Sequence, residues 1–352
     1  MSWTFRPSAL QTKCYSKLTI DELISHYIKD NERANREGVM VPVPPSSVSK
    51  LRTIQWNIHN WMTSRDERND TITRGIADSI FEVKPDVIVL NEYIWIDRRG
   101  NGRKQATRVS PQKLFQQELR RQGYAFYCGK NKRTQAVDSP TFIATTKVVR
   151  HYLEIPLSID RSALCVQIDT EDDNGLWIIG THLDAWDGDK RKQEMTKLLK
   201  YIQDHNGMFH PQGPVIIVGD FNQQRSSDYL PGEWGEVMKS LNQRKVCHND
   251  GVSNLLRNHY FACVFDRPKN DQKNRKNAKT YMNTAVQCNW GKKERPPSTH
   301  WSGTIVDYSY SRNVPVHGIY VHPSGFSDHR MTVCDWDLPS SATSKKQRSQ
   351  IN

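Results

Sequence analysis

The chain has 352 residues, enough for one large domain with extensions or for two modest ones. Lys and Arg number 50 against 38 Asp and Glu, so the formal net charge is +12 and the pI about 9.3; such a surface attracts polyanions, nucleic acid first and anionic membrane second. No run of about 18 apolar residues occurs, no apolar stretch follows Met1-Ser2-Trp3-Thr4-Phe5-Arg6, and the seven cysteines form no CxxC pair, so we expect no membrane-spanning helix, no secretory leader and no thiolate zinc site, in a reducing intracellular compartment, cytoplasmic or nuclear.

In chain order, residues 1–48 read as an N-terminal extension. Thr19-Ile20-Asp21-Glu22 has capping-box spacing, and Leu23, Ile24, Tyr27 and Ile28 follow at helical intervals, which predicts one short amphipathic helix. Val41-Pro42-Val43-Pro44-Pro45-Ser46-Ser47 is an extended, proline-rich linker. From there strands alternate with helices through residues 49–338, and residues 339–352 form a basic tail expected to be disordered. The alternation at 53–59 predicts a strand that places Asn57 and His59 two apart. A helix is predicted over 72–83, ended by Lys84-Pro85, and the buried run 86–90 then delivers Asn91-Glu92. A second helix over 111–122 stops at Gly123. The run 176–180 delivers Thr181-His182, and a third helix follows over 190–203. Pro214-Val215-Ile216-Ile217-Val218 is a strand buried on both faces; it stops at Gly219 and delivers Asp220 and Asn222, two positions apart.

Residues 267–295 are strongly basic, with Tyr281 and Trp290 interleaved. The segment is either a solvated loop or a nucleic-acid arm whose cations, Lys273, Arg275 and Lys276 among them, track phosphates while an aromatic ring stacks on a base. The last two signals are a strand over 304–308 that carries Asp307, and Ser327-Asp328-His329 just before a strand at 331–334.

Strand termini in α/β sheets are where ligands gather, so these segments predict one site collected from six strand ends. Glu92, Asp220, Asp307 and Asp328 would then crowd four carboxylates together, and repulsion would protonate one or more of them unless a cation intervened. An oxygen-rich set suits Mg²⁺, with Mn²⁺ as an alternative occupant.

The ordered set Trp56-Asn57, Leu90-Asn91-Glu92, Thr181-His182-Leu183-Asp184, Gly219-Asp220-Phe221-Asn222, Asp307-Tyr308 and Ser327-Asp328-His329 resembles the endonuclease/exonuclease/phosphatase superfamily, the deoxyribonuclease I-like proteins, from about Leu51 to Asp337. The resemblance implies a four-layer α/β/β/α sandwich of two packed mixed sheets flanked by helices. It implies Glu92 as metal ligand aided by Asp328, and Asn57 orienting Glu92 or a metal-bound water. His182, Asn222 and His329 would hold the phosphate oxygens, Asp307 would orient His329, and either Asp220 or His329 would act as base. Arg191 falls where the family often has an arginine near the substrate, with a surface partner of Glu194 as the plainer reading. His59 stands where some members carry an Asp, and is not counted as a ligand. The implied activity is Mg²⁺-dependent hydrolysis of phosphate esters by a monomer, with a DNA-directed nuclease or DNA-end-processing enzyme first. A phosphatase of inositol-phosphate or lipid phosphoesters and an inactive nucleic-acid-binding scaffold are the alternatives.

Overall fold

Long β-branched runs and two-residue alternation assemble most of the chain into sheets, and a computed structural model describes residues 50–59, 69–93, 111–129, 141–171, 175–211, 213–247, 251–266, 287–288, 298–300, 304–322 and 326–338. The predicted helix at 19–28, the proline-rich linker, the basic tail, and Lys273, Arg275 and Lys276 lie outside the described residues.

The elements follow in the order β1 (Lys50–Asn57), α1 (Asn69–Glu82), β2 (Val87–Asn91), α2 (Pro111–Arg121), β3 (Ala125–Cys128), β4 (Phe142–Thr145), β5 (Val149–Pro156), β6 (Ser162–Ile168), β7 (Leu176–His182), α3 (Gly188–Asp204), β8 (Val215–Asp220), α4 (Pro231–Gln243), α5 (Val252–Asn258), β9 (Ala262–Cys263), β10 (Gln287–Cys288), β11 (Asp307–Arg312), β12 (Val316–His322) and β13 (Met331–Asp337). One sheet has the order β10-β12-β13-β1-β2-β4-β3 and the other β5-β6-β7-β8-β11-β9. Both are mixed: β1 and β2 run parallel in the first, β7 and β8 in the second, and most other neighbours are antiparallel.

The sheets pack face to face. A Cβ placed on Gly180 of β7 would lie 2.6 Å from Thr141 Cγ2 and 2.9 Å from Val89 Cγ1, so the first sheet comes up against β7 there. On its outer side the first sheet buries Ile54, Trp56, Ile88 and Leu90 against Ile76 and Ile80 of α1 and Phe115 and Leu119 of α2. The second sheet packs against α3, whose Arg191, Glu194, Met195, Leu198, Leu199 and Ile202 form one buried stripe at helical spacing. Asp187 caps that helix, its Oδ1 accepting from Asp189 N at 2.9 Å and Lys190 N at 3.2 Å. The result is the four-layer α/β/β/α sandwich. Among the described residues, no helix is long and apolar enough to cross a membrane.

The three helices predicted within the described residues are present with ends shifted by no more than three residues. Helices α4 and α5 carry weaker signals: α4 opens on Pro231-Gly232 and holds a second glycine, Gly235, and α5 is only 7 residues long. The strand predicted over 304–308 begins only at Asp307.

Candidate active site

Register collects the site. In the second sheet His182 and Asp220 are partners across the parallel β7–β8 pair, and Asp307 lies opposite Asp220 across the antiparallel β8–β11 pair. In the first sheet Asn57 and Asn91 are partners across the parallel β1–β2 pair. Two parallel pairs, one in each sheet, therefore end at the same edge of the sandwich. A buried polar row ties the sheets together beneath it. Gln55 Nε2 donates to Asp307 Oδ1 at 2.8 Å and to Asn91 Oδ1 at 3.2 Å. Asn91 Oδ1 also accepts from Asp220 N at 3.0 Å, and its Nδ2 donates to Thr181 O at 3.1 Å. The backbone turns sharply as it leaves these strands: His59, Glu92 and Asn222 have φ of 46°, 54° and 50°, a left-handed conformation that costs non-glycine residues free energy and clusters at functional sites.

Facing carboxylates on neighbouring strands repel, and His329 relieves the Asp220–Asp307 pair. Its Nδ1 donates to Asp307 Oδ2 at 2.9 Å, and its Nε2 stands 3.8 Å from Asp220 Oδ2. Asp307 is further held by its own N–H, which donates to Thr299 Oγ1 at 3.1 Å. Burial works against charge on His329, but Asp307 and Asp220 outweigh it and hold the ring well above the ordinary imidazole value. Burial pushes the Asp220 carboxyl up to about 7, with His329 opposing and Asp307 reinforcing. Asp220 and His329 thus compete for a proton, with Asp307 holding the ring between the two carboxylates.

On its other side Asp220 Oδ2 accepts from Asn57 Nδ2 at 3.0 Å and faces His182 Nε2 at 3.7 Å. The register of β6 against β7, Leu164 opposite Gly180, brings the β5–β6 turn beside His182, and from that turn Arg161 Nη1 meets His182 Nδ1 at 3.1 Å. A guanidinium can only donate. His182 Nδ1 is therefore an acceptor, and the ring proton sits on Nε2, facing Asp220. Burial, then Arg161, then His329 lower the His182 value well below the ordinary one, which keeps the ring neutral. Asn222 N donates to Asp220 Oδ1 at 2.9 Å and its Nδ2 to Leu183 O at 3.0 Å, fixing the loop that follows His182.

The second part of the site is built on Glu92 and Asp328. Asn57 Nδ2 donates to Glu92 Oε1 at 3.0 Å as well as to Asp220, so one amide orients both carboxylates. Ser327 Oγ donates to Asn57 O at 2.6 Å and Trp56 Nε1 to His329 O at 2.9 Å, locking the Ser327-Asp328-His329 segment onto the end of β1. His59 Nδ1 lies 3.4 Å from Asp328 Oδ2 and 3.8 Å from Glu92 Oε2; His300 Nε2 lies 3.8 Å from the same Asp328 oxygen. Burial alone would raise Asp328, but His59, His300 and His329 outweigh it and hold the carboxyl well below the usual range. His300, Asp328 and His329 offer ligand atoms within 4.8 Å of one another, as do Asp220, Asp307 and His329. Two carboxylates facing a common imidazole, with neutral amides behind them, are a donor set that fits a divalent cation.

Asn57, Glu92, His182, Asp220, Asn222, Asp307, Asp328 and His329 are thus brought together, while Arg191 is not. It is fully buried, with Nη1 donating to Asp184 O at 3.0 Å and Nη2 to Cys247 O. Two of its guanidinium nitrogens thus hold backbone carbonyls of the fold. Glu194 is not its surface partner: Glu194 is buried and accepts from Ser158 Oγ at 2.7 Å and Asp184 N at 2.9 Å. Gln55, Arg161, Thr299 and His300 escaped the sequence reading. Gln55 was findable, since it lies two residues before Asn57 on the same face of a strand. Arg161 and His300 reach the site from a turn and a loop with no local signal.

No family model matches the sequence, and no curated protein matches it. The architecture, two mixed sheets back to back, is the fold of solved endonuclease/exonuclease/phosphatase proteins. Among solved structures, the chain is similar to the human Nocturnin catalytic domain with bound sulfate (17% identity, TM-score 0.54, 83% of this chain and 95% of that one). It is likewise similar to an endonuclease/exonuclease/phosphatase protein from Beutenbergia cavernae (17%, 0.51, 82% and 72%) and to D. rerio TDP2 in complex with single-stranded DNA product (16%, 0.50, 82% and 100%).

Proposed function

We propose that the chain is a divalent-cation-dependent phosphodiesterase that acts on nucleic acid, with DNA as the substrate, as a nuclease or a DNA-end-processing hydrolase. The observation that carries this reading is the setting of Asp220, whose Oδ2 accepts from Asn57 at 3.0 Å and faces the Nε2 atoms of His182 at 3.7 Å and His329 at 3.8 Å. One carboxylate among three N–H groups can hold a water and take its proton, while the same groups turn to the oxygens of a phosphate.

His182, neutral and protonated on Nε2, donates to a phosphate oxygen without titrating. The second N–H of the Asn222 amide is a further donor that adds no charge. His329, backed by Asp307, donates from Nε2 and exchanges its proton with Asp220. A divalent ion on Glu92 and Asp328 would supply positive charge to the phosphate and the leaving oxygen. The formal net charge of +12 supports a polyanionic substrate, and the DNA product held by the TDP2 structure supports DNA. Lys273, Arg275 and Lys276 are proposed to track the strand beyond the scissile bond.

End-labelled single- and double-stranded DNA and RNA, incubated with Mg²⁺, with Mn²⁺ or with EDTA, test the reading. Cation-dependent cleavage of DNA is expected. Hydrolysis of a small phosphomonoester such as an inositol phosphate, with every nucleic acid left intact, would contradict it.

A further inference from the structure

Two segments meet at His182, and one buried side chain of α3 holds both. Glu194 is 2% exposed; its Oε1 accepts from Ser158 Oγ at 2.7 Å and its Oε2 from Asp184 N at 2.9 Å. Ser158 belongs to the β5–β6 turn, which closes on Arg161: the Arg161 carbonyl accepts from Leu157 N at 2.9 Å and from Ser158 N at 3.1 Å. The Arg161 side chain then meets His182 Nδ1 at 3.1 Å. Asp184 belongs to the segment that leaves His182, and α3 holds it a second time where Arg191 Nη1 donates to Asp184 O at 3.0 Å. Glu194 and Arg161 also attract each other as opposite charges. A carboxylate in the buried stripe of α3 carries a desolvation cost that an apolar side chain would not. What it gains there is the tie between the two segments.

We propose that Glu194 is a positioning residue for His182: by tying the β5–β6 turn to the segment that follows His182, it aims the Arg161 guanidinium at Nδ1 and so fixes the ring proton on Nε2. The inference rests on the reading that His182 donates from Nε2 to a substrate phosphate. Glu194 acts through Arg161, so its removal costs turnover only while Arg161 is present. The cost falls on kcat, because the donor that is aimed serves the transition state. A side chain that merely filled the core would cost the same with or without Arg161.

Glu194→Ala, Glu194→Gln and Ser158→Ala are compared in the full chain and in the Arg161→Met background, each first shown by its melting curve to be folded. Hydrolysis of a chromogenic phosphodiester gives kcat and KM. Nitrogen NMR resonances of the histidine rings, assigned with His182→Gln, give the tautomer of His182 without any turnover. Glu194→Ala is expected to lower kcat at least about tenfold with KM held within about twofold, and to shift the His182 nitrogens toward a mixture of tautomers. In Arg161→Met the same substitution should cost less than about twofold. Glu194→Gln should recover most of the loss, because an amide still accepts from Asp184 N while donating to the Ser158 hydroxyl. Should Glu194→Ala fail to fold, Ser158→Ala, on a half-buried turn, carries the comparison with a smaller loss of the same kind. Equal losses with and without Arg161, or His182 resonances unmoved in Glu194→Ala and Ser158→Ala, would overturn the proposal. A wild type that hydrolyses no phosphodiester would sink the hydrolase reading instead, and the resonances would still decide whether Glu194 positions His182.

Discussion

His182 owes its chemical state to a residue from another strand pair. With Arg161 donating to Nδ1 at 3.1 Å, the neutral ring has no choice of tautomer. Arg161→Met frees that choice, so turnover at neutral pH should fall about 10- to 100-fold, the usual loss when an orienting partner of a site residue is removed. The pH profile separates this from a packing defect. Arg161 helps to keep His182 neutral, so its loss raises the imidazole value. A protonated ring donates from Nε2 again, and the ratio of variant to wild-type activity should rise as pH falls. A flat ratio would mean that Arg161 does not act through His182. Arg161→Lys keeps a cationic donor and should recover part of the loss. The residues at strand exits, Glu92, His182 and Asp220, were legible in the sequence because buried apolar runs ended on them. Arg161, 21 residues from His182, was not, because no local pattern records where a hairpin turn docks.

The site edge depends on how β7 and β8 run together. Asp220 follows Gly219, and a Cβ on Gly219 would lie 1.8 Å from Thr181 O, a backbone atom that cannot step aside. Gly219→Ala should therefore destabilise the protein by at least about 2 kcal/mol in chemical denaturation and displace His182 from Asp220; a variant as stable as wild type would show that the two strands can part there. Helix α3 makes a second element-level contribution through Glu194. Burial, opposed by its hydrogen bonds to Ser158 and Asp184, raises the Glu194 carboxyl above the ordinary glutamate value. A carboxyl raised in the folded state stabilises most below its unfolded value of about 4.3, and that stability is lost as pH rises through the folded value. The melting temperature of wild type minus that of Glu194→Gln should accordingly fall as pH rises from about 4 to about 8. A difference that is constant or rising would contradict the shift. The same helix holds Arg191 in its buried stripe with Glu194, Met195 and Leu198, a periodicity visible in the sequence. Helices α4 and α5 were missed because glycine and short length blunt the periodic signal on which such a reading depends.

Across the whole molecule, two sheets each contribute one parallel strand pair to a common edge, and the buried row Gln55, Asn91, Thr332 and Asp307 holds the two edges in register. Thr332 Oγ1 donates to Gln55 Oε1 at 3.0 Å, so the first sheet's own polar pair fixes the amide that reaches across to Asp307. The alternation of strand runs and helix periods was readable along the chain, whereas the two-sheet sandwich was implied only by the resemblance of the ordered motifs. The polar seam between the sheets was not readable, because side chains that pair across 252 residues leave no mark on either neighbourhood. The formal net charge of the whole chain is +12, while the described edge itself is acidic and imidazole-rich. The central claim is that this edge is a single hydrolytic site turning on Asp220. Its most direct test is the hydrolysis of a chromogenic phosphodiester by wild type and Asp220→Asn, with Mn²⁺ or Mg²⁺ and with EDTA, both proteins matched in melting temperature. Turnover that requires the cation and falls by at least about 1,000-fold in the variant is expected. Asp220→Asn turning over at the wild-type rate would contradict it.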